Sequence, residues 1–207
     1  DVYKRQREVL LKDLKRSGYV MVRTSASVEV ARSAMLIVNG QAITNVHAHV
    51  DHLGFELFEY GREIFVDSGK FSYQKDEWRQ YFVSAAAHNV VALQGDVISP
   101  RDRITTGSAI QHATLTSEGV VKTGGTITRK GFVHHREFQY EPGKSLTLHD
   151  RLEDKGNAKA ILYFQLAPDL RAEQSNQGVS VFDGDILVCS IFVSNSNHET
   201  IFYCGEE

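Results

Sequence analysis

The sequence predicts an all-β protein, an antiparallel β-sandwich with one short N-terminal helix. Runs rich in β-branched and aromatic residues recur at short spacing along most of the 207 residues, and polar turn signals separate many of them. Two runs, 132–139 and 146–149, also alternate in the period of two that is typical of sheets. With 42% hydrophobic and 24% charged residues, the composition is that of a globular protein. The length allows one domain, or at most two small ones.

The N-terminal residues divide into two short segments. Residues 1–6 (DVYKRQ) resemble the translation of a DNA-sequencing adapter, so we exclude them from the fold prediction as an artefact. Arg7–Arg16 has apolar residues at helical spacing and is followed by Ser17-Gly18, a helix stop signal. We therefore predict that residues 7–17 form a helical connection and that residues 18–207 form the sandwich domain. Because the chain lacks an initial Met and ends directly after a predicted strand, we expect it to be a fragment.

Twelve strands are predicted from residue 18 onward. They are Gly18–Arg23, Ala34–Val38, Phe55–Tyr60, Glu63–Val66, Val90–Leu93, Ile110–Leu115, Gly131–Tyr140, Ser145–Leu152, Ala158–Leu166, Val179–Phe182, Ile186–Val193 and Thr200–Tyr203. Predicted turns include Gly124-Gly125, Glu141-Pro142-Gly143 and the polar stretches 154–157 and 183–185. A second short helix is predicted around Lys75–Tyr81.

Composition excludes two classes of partner. The formal net charge of -3 gives no basic footprint for nucleic acid. The longest apolar run, Ile186–Val193, has the length of a strand, whereas a membrane-spanning helix needs ~18 or more apolar residues. We expect neither a nucleic-acid partner nor a membrane span. Cys189 and Cys204 are the two cysteines, and the sequence leaves open whether they pair or remain buried thiols.

Histidines are concentrated in one segment. His47, His49 and His52 fall within six residues, and Asp67 and His88 follow downstream. If this segment is a strand, His47 and His49 lie on one face, because alternate strand residues share a face. Imidazole and carboxylate groups are ligands for zinc and other first-row metals. The alternative is that Asp67 is a turn residue and His88 a hydrogen-bonded histidine. We assign no site to the other histidines, which are His52, His112, His134, His135, His149 and His198.

The stretch from Val46 to Val91 resembles the heparinase II/III family of polysaccharide lyases. Several matched motifs support this resemblance over about 45 residues. They are His47-Ala48-His49-Val50-Asp51, Gly54-Phe55-Glu56-Leu57, Val66-Asp67-Ser68-Gly69, Tyr73, Arg79-Gln80-Tyr81-Phe82 and Ala87-His88-Asn89. The departures are Gly54, Ser68 and Val90, where the family often has Ser, Pro and Thr. None of them removes a predicted ligand.

The resemblance implies an architecture and a set of site residues. Family members pair an N-terminal α/α toroid with a C-terminal antiparallel super-sandwich, and this chain resembles the sandwich alone. By similarity, His49, Asp67 and His88 hold a Zn²⁺ ion, and His47 is catalytic and faces the substrate. The ion has a structural role, because ligands from three segments tie those segments together. Candidate sugar contacts are Tyr73, Arg79 and Tyr81, with packing or surface pairing as the alternative.

The resemblance also implies a reaction, β-elimination across uronic-acid-containing glycans such as heparan sulfate or alginate. The C5 proton becomes removable when the neighbouring carboxylate is neutralised, and a positioned base and acid complete the step. In the family, the neutralising Asn or His and the catalytic Tyr come largely from the toroid. We therefore expect a carbon-oxygen lyase whose sandwich fragment is inactive alone. The resemblance further implies a periplasmic or secreted bacterial protein.

Two alternatives to the lyase interpretation follow from the sequence. Cupin-like metal oxygenases also use His-x-His on a β-barrel, but their Glu follows by four or five residues, whereas Glu56 comes seven after His49. A non-catalytic carbohydrate-binding or surface-polysaccharide assembly protein of the same fold is the second alternative. A full-length sequence with cleft-facing Asn or His and Tyr residues would favour the enzyme over the second alternative.

Overall fold

The computed structural model describes residues 9–42, 47–95, 106–129, 131–154, 159–175 and 178–193. The strands in this part of the chain are β1 (Val9–Leu14), β2 (Tyr19–Thr24), β3 (Ala34–Asn39), β4 (Gln41–Ala42), β5 (Gly54–Glu59), β6 (Arg62–Phe65), β7 (Val91–Leu93), β8 (Gly107–Ser108), β9 (Ile110–Leu115), β10 (Val121–Thr128), β11 (Phe132–Glu141), β12 (Ser145–Asp154), β13 (Ala160–Leu162), β14 (Arg171–Ser175), β15 (Gly178–Asp183) and β16 (Ile186–Ile191). One α-helix is described, α1 (Glu77–Val83), together with 3-10 turns at Val30–Arg32 and Ala85–Ala87. The prediction of a mostly antiparallel β fold is confirmed.

Two larger sheets form the first of two compact units, residues 1–165. One sheet has the order β1-β2-β3-β5-β6 and the other the order β12-β11-β10-β9, with every neighbouring pair antiparallel. Alternate residues of each sheet are buried, so each turns one face to a core. The rings of Phe55 on β5 and Phe138 on β11 lie 5.9 Å apart, which brings the two buried faces together. This is the predicted sandwich.

Two short strand pairs and one three-stranded sheet are present besides the two larger sheets. In the first unit, β13 pairs with β7 and β4 pairs with β8. The second unit, residues 166–207, contains the antiparallel sheet β14-β15-β16.

Cys189 lies half-buried on β16, and burial raises the pKa of its thiol. Its pairing stays open because Cys204, like the predicted strand Thr200–Tyr203 and residues 1–6, lies outside the described residues. No helix in the described part of the chain is long and apolar enough to span a membrane.

The predicted N-terminal helix is wrong, since Val9–Leu14 forms strand β1. Tertiary pairing overrides the helical spacing: β1 pairs with β2 along its length, from Val9↔Thr24 to Leu14↔Tyr19. The Ser17-Gly18 signal ends a strand instead of a helix, because both backbone N–H groups donate to the Leu14 carbonyl and form a hairpin turn. Gly18 has a φ of 76°, which favours glycine at this turn.

The second predicted helix is confirmed as α1, which spans Glu77–Val83. Asp76 is its N-cap, and the side-chain Oδ1 accepts a hydrogen bond from the Arg79 backbone N–H at 2.8 Å. The short helix of this fold therefore lies between β6 and β7 and not at the N-terminus.

The predicted turn at Gly124-Gly125 is also wrong, because both glycines lie within β10. A Cβ on Gly125 would collide with the carbonyl oxygen of Ala109, and one on Gly124 would collide with the carboxylate of Glu137. The register of β9 and β10 shifts between the two glycines. These glycines therefore permit close approach at a β-bulge, a use that the sequence alone does not distinguish from a turn.

Candidate functional site

The histidine segment is a loop from His47 to His52, so the condition for a shared face, that it forms a strand, is not met. His47 has a φ of 60° and is exposed, whereas His49 is half-buried. The shared-face argument for His47 and His49 therefore does not apply. The loop is nevertheless anchored, because the Val50 N–H donates to the Val83 carbonyl at 2.9 Å and the Asn39 side chain donates to Asp51 Oδ2 at 3.0 Å.

Asp67 lies directly after β6, at the start of a tight turn. Its Oδ1 accepts the Gly69 backbone N–H at 2.8 Å, and Gly69 has a φ of 64°. Its Oδ2 lies 2.7 Å from His88 Nδ1. Burial alone would raise the pKa of Asp67, but the hydrogen bond and charge of His88, with the Gly69 N–H and His49, hold that pKa below its usual value. The carboxyl group is therefore ionised at neutral pH.

His88 is fully buried despite the three alanines before it. Ala85–Ala87 form a 3-10 turn, and Ala85 packs in a cluster with Val50. His88 Nε2 lies 3.1 Å from the Phe82 carbonyl oxygen, which can only accept a hydrogen bond. Nε2 therefore carries a proton, and Nδ1 faces Asp67.

His49 completes the cluster that the sequence predicted. Its ring centroid lies 5.2 Å from that of His88, and its Nε2 lies 3.4 Å from Arg79 Nη1. Burial lowers the pKa of His49, and the nearby positive charge of His88 and Arg79 lowers it further against the effects of Asp51 and Asp67. His49 is therefore neutral at pH 7.

The three side chains are of the types that zinc binds, imidazole and carboxylate. A metal-bound histidine usually donates its other ring N–H to a carbonyl or carboxylate, as His88 does toward Phe82. Asp67 is ionised and His49 is neutral, which are the protonation states that ligands need. His88 Nδ1 donates to Asp67 in this structure, so it would have to release that proton before it could bind an ion. In the described ranges, however, no group of three His, Cys, Asp or Glu side chains meets the geometry of a metal site. Zinc binding therefore stays a prediction.

The predicted sugar contacts lie beside this cluster. Tyr73 is 62% exposed, and its ring contacts His47 edge-on, with the centroids 5.2 Å apart. Lys70 Nζ lies 3.6 Å from the Tyr73 ring centroid, and the Arg79 guanidinium carbon lies 5.7 Å from it. Tyr81 is exposed on α1 and packs edge-on against Phe82. The structure thus brings together His47, Tyr73 and Arg79, with their substrate roles still predicted.

Sequence reasoning missed two exposed aromatic residues in this region, Phe71 and Trp78. Phe71 is 61% exposed and Trp78 is 54% exposed, and their ring centroids lie 6.0 Å apart. Phe71 also stacks on Phe82 at 5.9 Å with an angle of 13° between the rings. The available signal was the crowding of aromatic residues between positions 71 and 82. We call the four exposed residues, Phe71, Tyr73, Trp78 and Tyr81, the aromatic surface.

A buried polar network was missed as well. Arg136 is fully buried and binds both carboxylate oxygens of Asp150, with Nε at 2.7 Å and Nη2 at 3.0 Å. His134 Nε2 lies 2.7 Å from Asp150 Oδ1. Burial opposes ionisation of Asp150, but His134 and Arg136 outweigh it and lower its pKa to about 2. Burial lowers the pKa of His134, although its hydrogen bond to Asp150 acts in the opposite direction.

Comparison with known proteins adds an independent line of evidence. A family model described as Heparinase II/III-like, C-terminal, matches residues 7–206. A heparinase III gene product has a TM-score of 0.67 and 18% identity, and the match covers 83% of this chain and 26% of that one. Heparan sulfate lyase HepC from Pedobacter heparinus has a TM-score of 0.63 and 20% identity, covering 79% and 25% of the two chains. A comparison with curated proteins finds no match.

These comparisons bear on the fold, on the length of the chain relative to the matched structures and on the cupin-like alternative. At 18–20% identity, the solved structures support the fold alone. The chain spans about a quarter of the length of the structures that it matches. The family match removes the basis for the cupin-like alternative, because it covers nearly the whole chain.

Proposed function

The chain belongs to the heparinase II/III-like C-terminal family, and from that premise we propose that it is the sandwich part of a polysaccharide lyase. Its substrates are uronic-acid-containing glycans of the heparan sulfate or alginate type. The observation that most supports the proposal is the contact between exposed His47 and Tyr73. Arg79 links this pair to the cluster of His49, Asp67 and His88, because it lies near both the Tyr73 ring and His49 Nε2.

The proposed reaction is a β-elimination. The C5–H bond breaks, its electron pair forms the C4–C5 double bond, and the C4–O bond breaks with protonation of the leaving oxygen. His47 is the candidate within this chain for a part in this proton transfer, because an imidazole can act as base or acid. Tyr73, which contacts it, is a candidate sugar contact. The cationic Lys70 and Arg79 lie near Tyr73, where they can pair with a uronate carboxylate. In this proposal, the neutralising Asn or His and the catalytic Tyr come from a separate toroid domain.

We further propose that His49, Asp67 and His88 hold one Zn²⁺ ion. A bound ion would be coordinated by one side chain from each of three segments, and so would join the histidine loop, the end of β6 and the segment after the Ala85–Ala87 turn. Its role is structural. The catalytic role within this chain is assigned to His47, which contacts Tyr73 and lies outside the proposed ligand set.

The aromatic surface supports an acidic sugar as ligand. Exposed aromatic rings offer apolar faces on which a pyranose ring can stack, and the flanking Lys70 and Arg79 offer positive charge for carboxylate or sulfate groups. The same features support the alternative function, a non-catalytic carbohydrate-binding or polysaccharide assembly protein, because binding alone needs no proton transfer.

An N-terminal α/α toroid as partner domain, and a periplasmic or secreted location, belong to the same proposal. Both rest on the family, and the greater length of the matched structures is consistent with a further domain.

The test compares a full-length protein with the 207-residue chain on heparan sulfate and on alginate. The readout is the ultraviolet absorbance of the unsaturated uronate product. We expect product from the full-length protein with at least one glycan and none from the chain alone. Glycan binding by the full-length protein without product would favour the non-catalytic alternative, and neither binding nor product would contradict the proposal.

A further inference from the structure

Asn89 follows His88 directly and is only 1% exposed. Its Nδ2 donates to the Phe55 carbonyl at 2.7 Å and to the Val66 carbonyl at 2.9 Å. Its Oδ1 accepts the Gln165 backbone N–H at 2.6 Å. Carbonyl oxygens only accept and a backbone N–H only donates, so these partners fix the orientation of the amide. Both donors and the acceptor of this side chain are therefore used.

These hydrogen bonds join the two segments that present Asp67 and His88. Val66 precedes Asp67, and its own N–H donates to the Gln165 carbonyl at 2.9 Å. Val66 is thus held at both its N–H and its carbonyl, by Gln165 and by Asn89. One side chain therefore connects the residue after His88 to the residue before Asp67.

Arg136 extends the connection to the histidine loop. Its Nη1 donates to the Asn89 carbonyl at 2.9 Å and to the Leu53 carbonyl at 3.0 Å. Leu53 lies four residues after His49 and directly before β5. Because Asp150 holds the rest of the guanidinium, Nη1 is fixed in place. The backbones that present His49 and His88 are tied to the same buried cation.

We propose that Asn89 is a positioning residue that sets the separation of His88 and Asp67, with Arg136 fixing Asn89 relative to the histidine loop. The described hydrogen bonds of the Asn89 side chain go to backbone groups, so it acts through the backbones of Val66 and of its own segment. The proposed effect on the distance between His88 and Asp67 rests on the hydrogen bonds of Asn89. The proposed effect on metal affinity rests, in addition, on the zinc site of the proposed function.

The main variant is Asn89→Asp, which keeps the size of the side chain but removes both donors. A carboxylate there would face the carbonyl oxygens of Phe55 and Val66, so the two segments should separate. Asn89→Ser is a milder variant that retains one donor and serves if Asn89→Asp does not fold. The matched control is Thr123→Val, which removes a buried hydrogen bond of 2.7 Å to the His112 carbonyl in the other sheet.

Two measurements test the proposal on the 207-residue chain. Crystal structures give the distance between His88 Nδ1 and Asp67 Oδ2, and competition with a chromophoric chelator gives the Zn²⁺ affinity. We expect the distance to exceed hydrogen-bond range in Asn89→Asp or Asn89→Ser and the Zn²⁺ affinity to fall 10- to 100-fold. Thr123→Val should change the unfolding midpoint without changing either quantity.

Separate outcomes distinguish the two proposals. A wild-type chain that binds no Zn²⁺ would overturn the metal site, while the distance would still decide the role of Asn89. A folded Asn89 variant that keeps the contact at 2.7 Å would overturn the positioning role whatever the metal result. If neither Asn89 variant folds, hydrogen exchange of the wild-type Asn89 amide decides, because a positioning role requires slow exchange of both protons and fast exchange would overturn it.

Discussion

A substitution of His47 tests the proposed catalytic role separately from the proposed metal site. His47 is exposed in the histidine loop and contacts Tyr73, whereas His49 is half-buried and His88 is buried. The φ of 60° at His47 favours Asn or Gly, so Asn is the substitution that leaves the backbone unstrained.

We predict that His47→Asn in a full-length protein lowers kcat by about 10²- to 10⁴-fold, the usual contribution of a general acid or base. Zinc content and melting temperature should not change, because the residue is exposed and outside the predicted ligand set. His112→Asn, which changes an exposed histidine paired with Glu137, is the control and should keep full activity. Unchanged lyase activity in His47→Asn would contradict the catalytic role.

Asp150 gives a second prediction at this scale, concerning acid stability. Its pKa falls from 3.8 to about 2 in the folded protein. The unfolded state therefore takes up the proton first as pH falls, so stability of about 2 kcal/mol is present above pH 4 and is lost toward pH 2. The lowered pKa of His134 acts in the same direction, because the unfolded state binds that proton first below pH 6.5.

Asp150→Asn should cost about 3–5 kcal/mol of unfolding free energy at pH 7, because it leaves the buried Arg136 charge without its counter-ion. Urea unfolding at several pH values measures both the loss and its pH dependence. We expect the variant to lose less stability than the wild type between pH 4 and pH 2. An equal acid loss in both proteins would show that other groups dominate the acid response.

Helix α1 carries half of the aromatic surface, since Trp78 and Tyr81 lie on it. We predict that Asp76→Ala lowers the unfolding free energy by about 1 kcal/mol, because the Arg79 N–H loses its acceptor. Asp76→Asn should retain most of the cap and is the control. Calorimetry measures the loss, and equal stability of the two variants would contradict the capping role.

Trp78 gives a prediction about the face of the same helix that we propose binds glycan. Trp78→Ala should weaken binding of acidic oligosaccharides by about 5- to 30-fold, the equivalent of about 1–2 kcal/mol for a lost aromatic contact. Calorimetric titration measures the affinity, and Val30→Ala, at a 75% exposed apolar residue, is the control. Equal affinity of Trp78→Ala and wild type would remove Trp78 from the sugar-binding surface.

The element scale also shows where sequence reasoning succeeds. The alternation in β11 was visible because its inward residues, from Phe132 to Tyr140, follow the period of two along ten residues. Sequence reasoning failed for β1, where four apolar residues fit a helix as well as a strand and pairing with β2 decided the outcome. The argument that His47 and His49 share a face also failed, because the His-x-His spacing does not encode the left-handed backbone of His47.

At the scale of the whole molecule, the candidate site depends on contacts between distant residues. The sequence indicated His49, Asp67 and His88 through local motifs. It could not indicate their support, because the partners of Arg136 at Leu53 and Asn89 are 83 and 47 residues away. Such partners are set by the packing of the two sheets, which no local pattern specifies.

The zinc content of the purified 207-residue chain tests the central claim that three segments of this sandwich form one metal centre. We predict one Zn²⁺ per chain in the wild type, and in His49→Ala a loss of both the ion and the melting temperature that the ion supports. Treatment of the wild type with a chelator should lower its melting temperature to that of the variant. A metal-free wild type in the presence of excess zinc, or a His49→Ala variant with unchanged zinc content and melting temperature, would contradict the account.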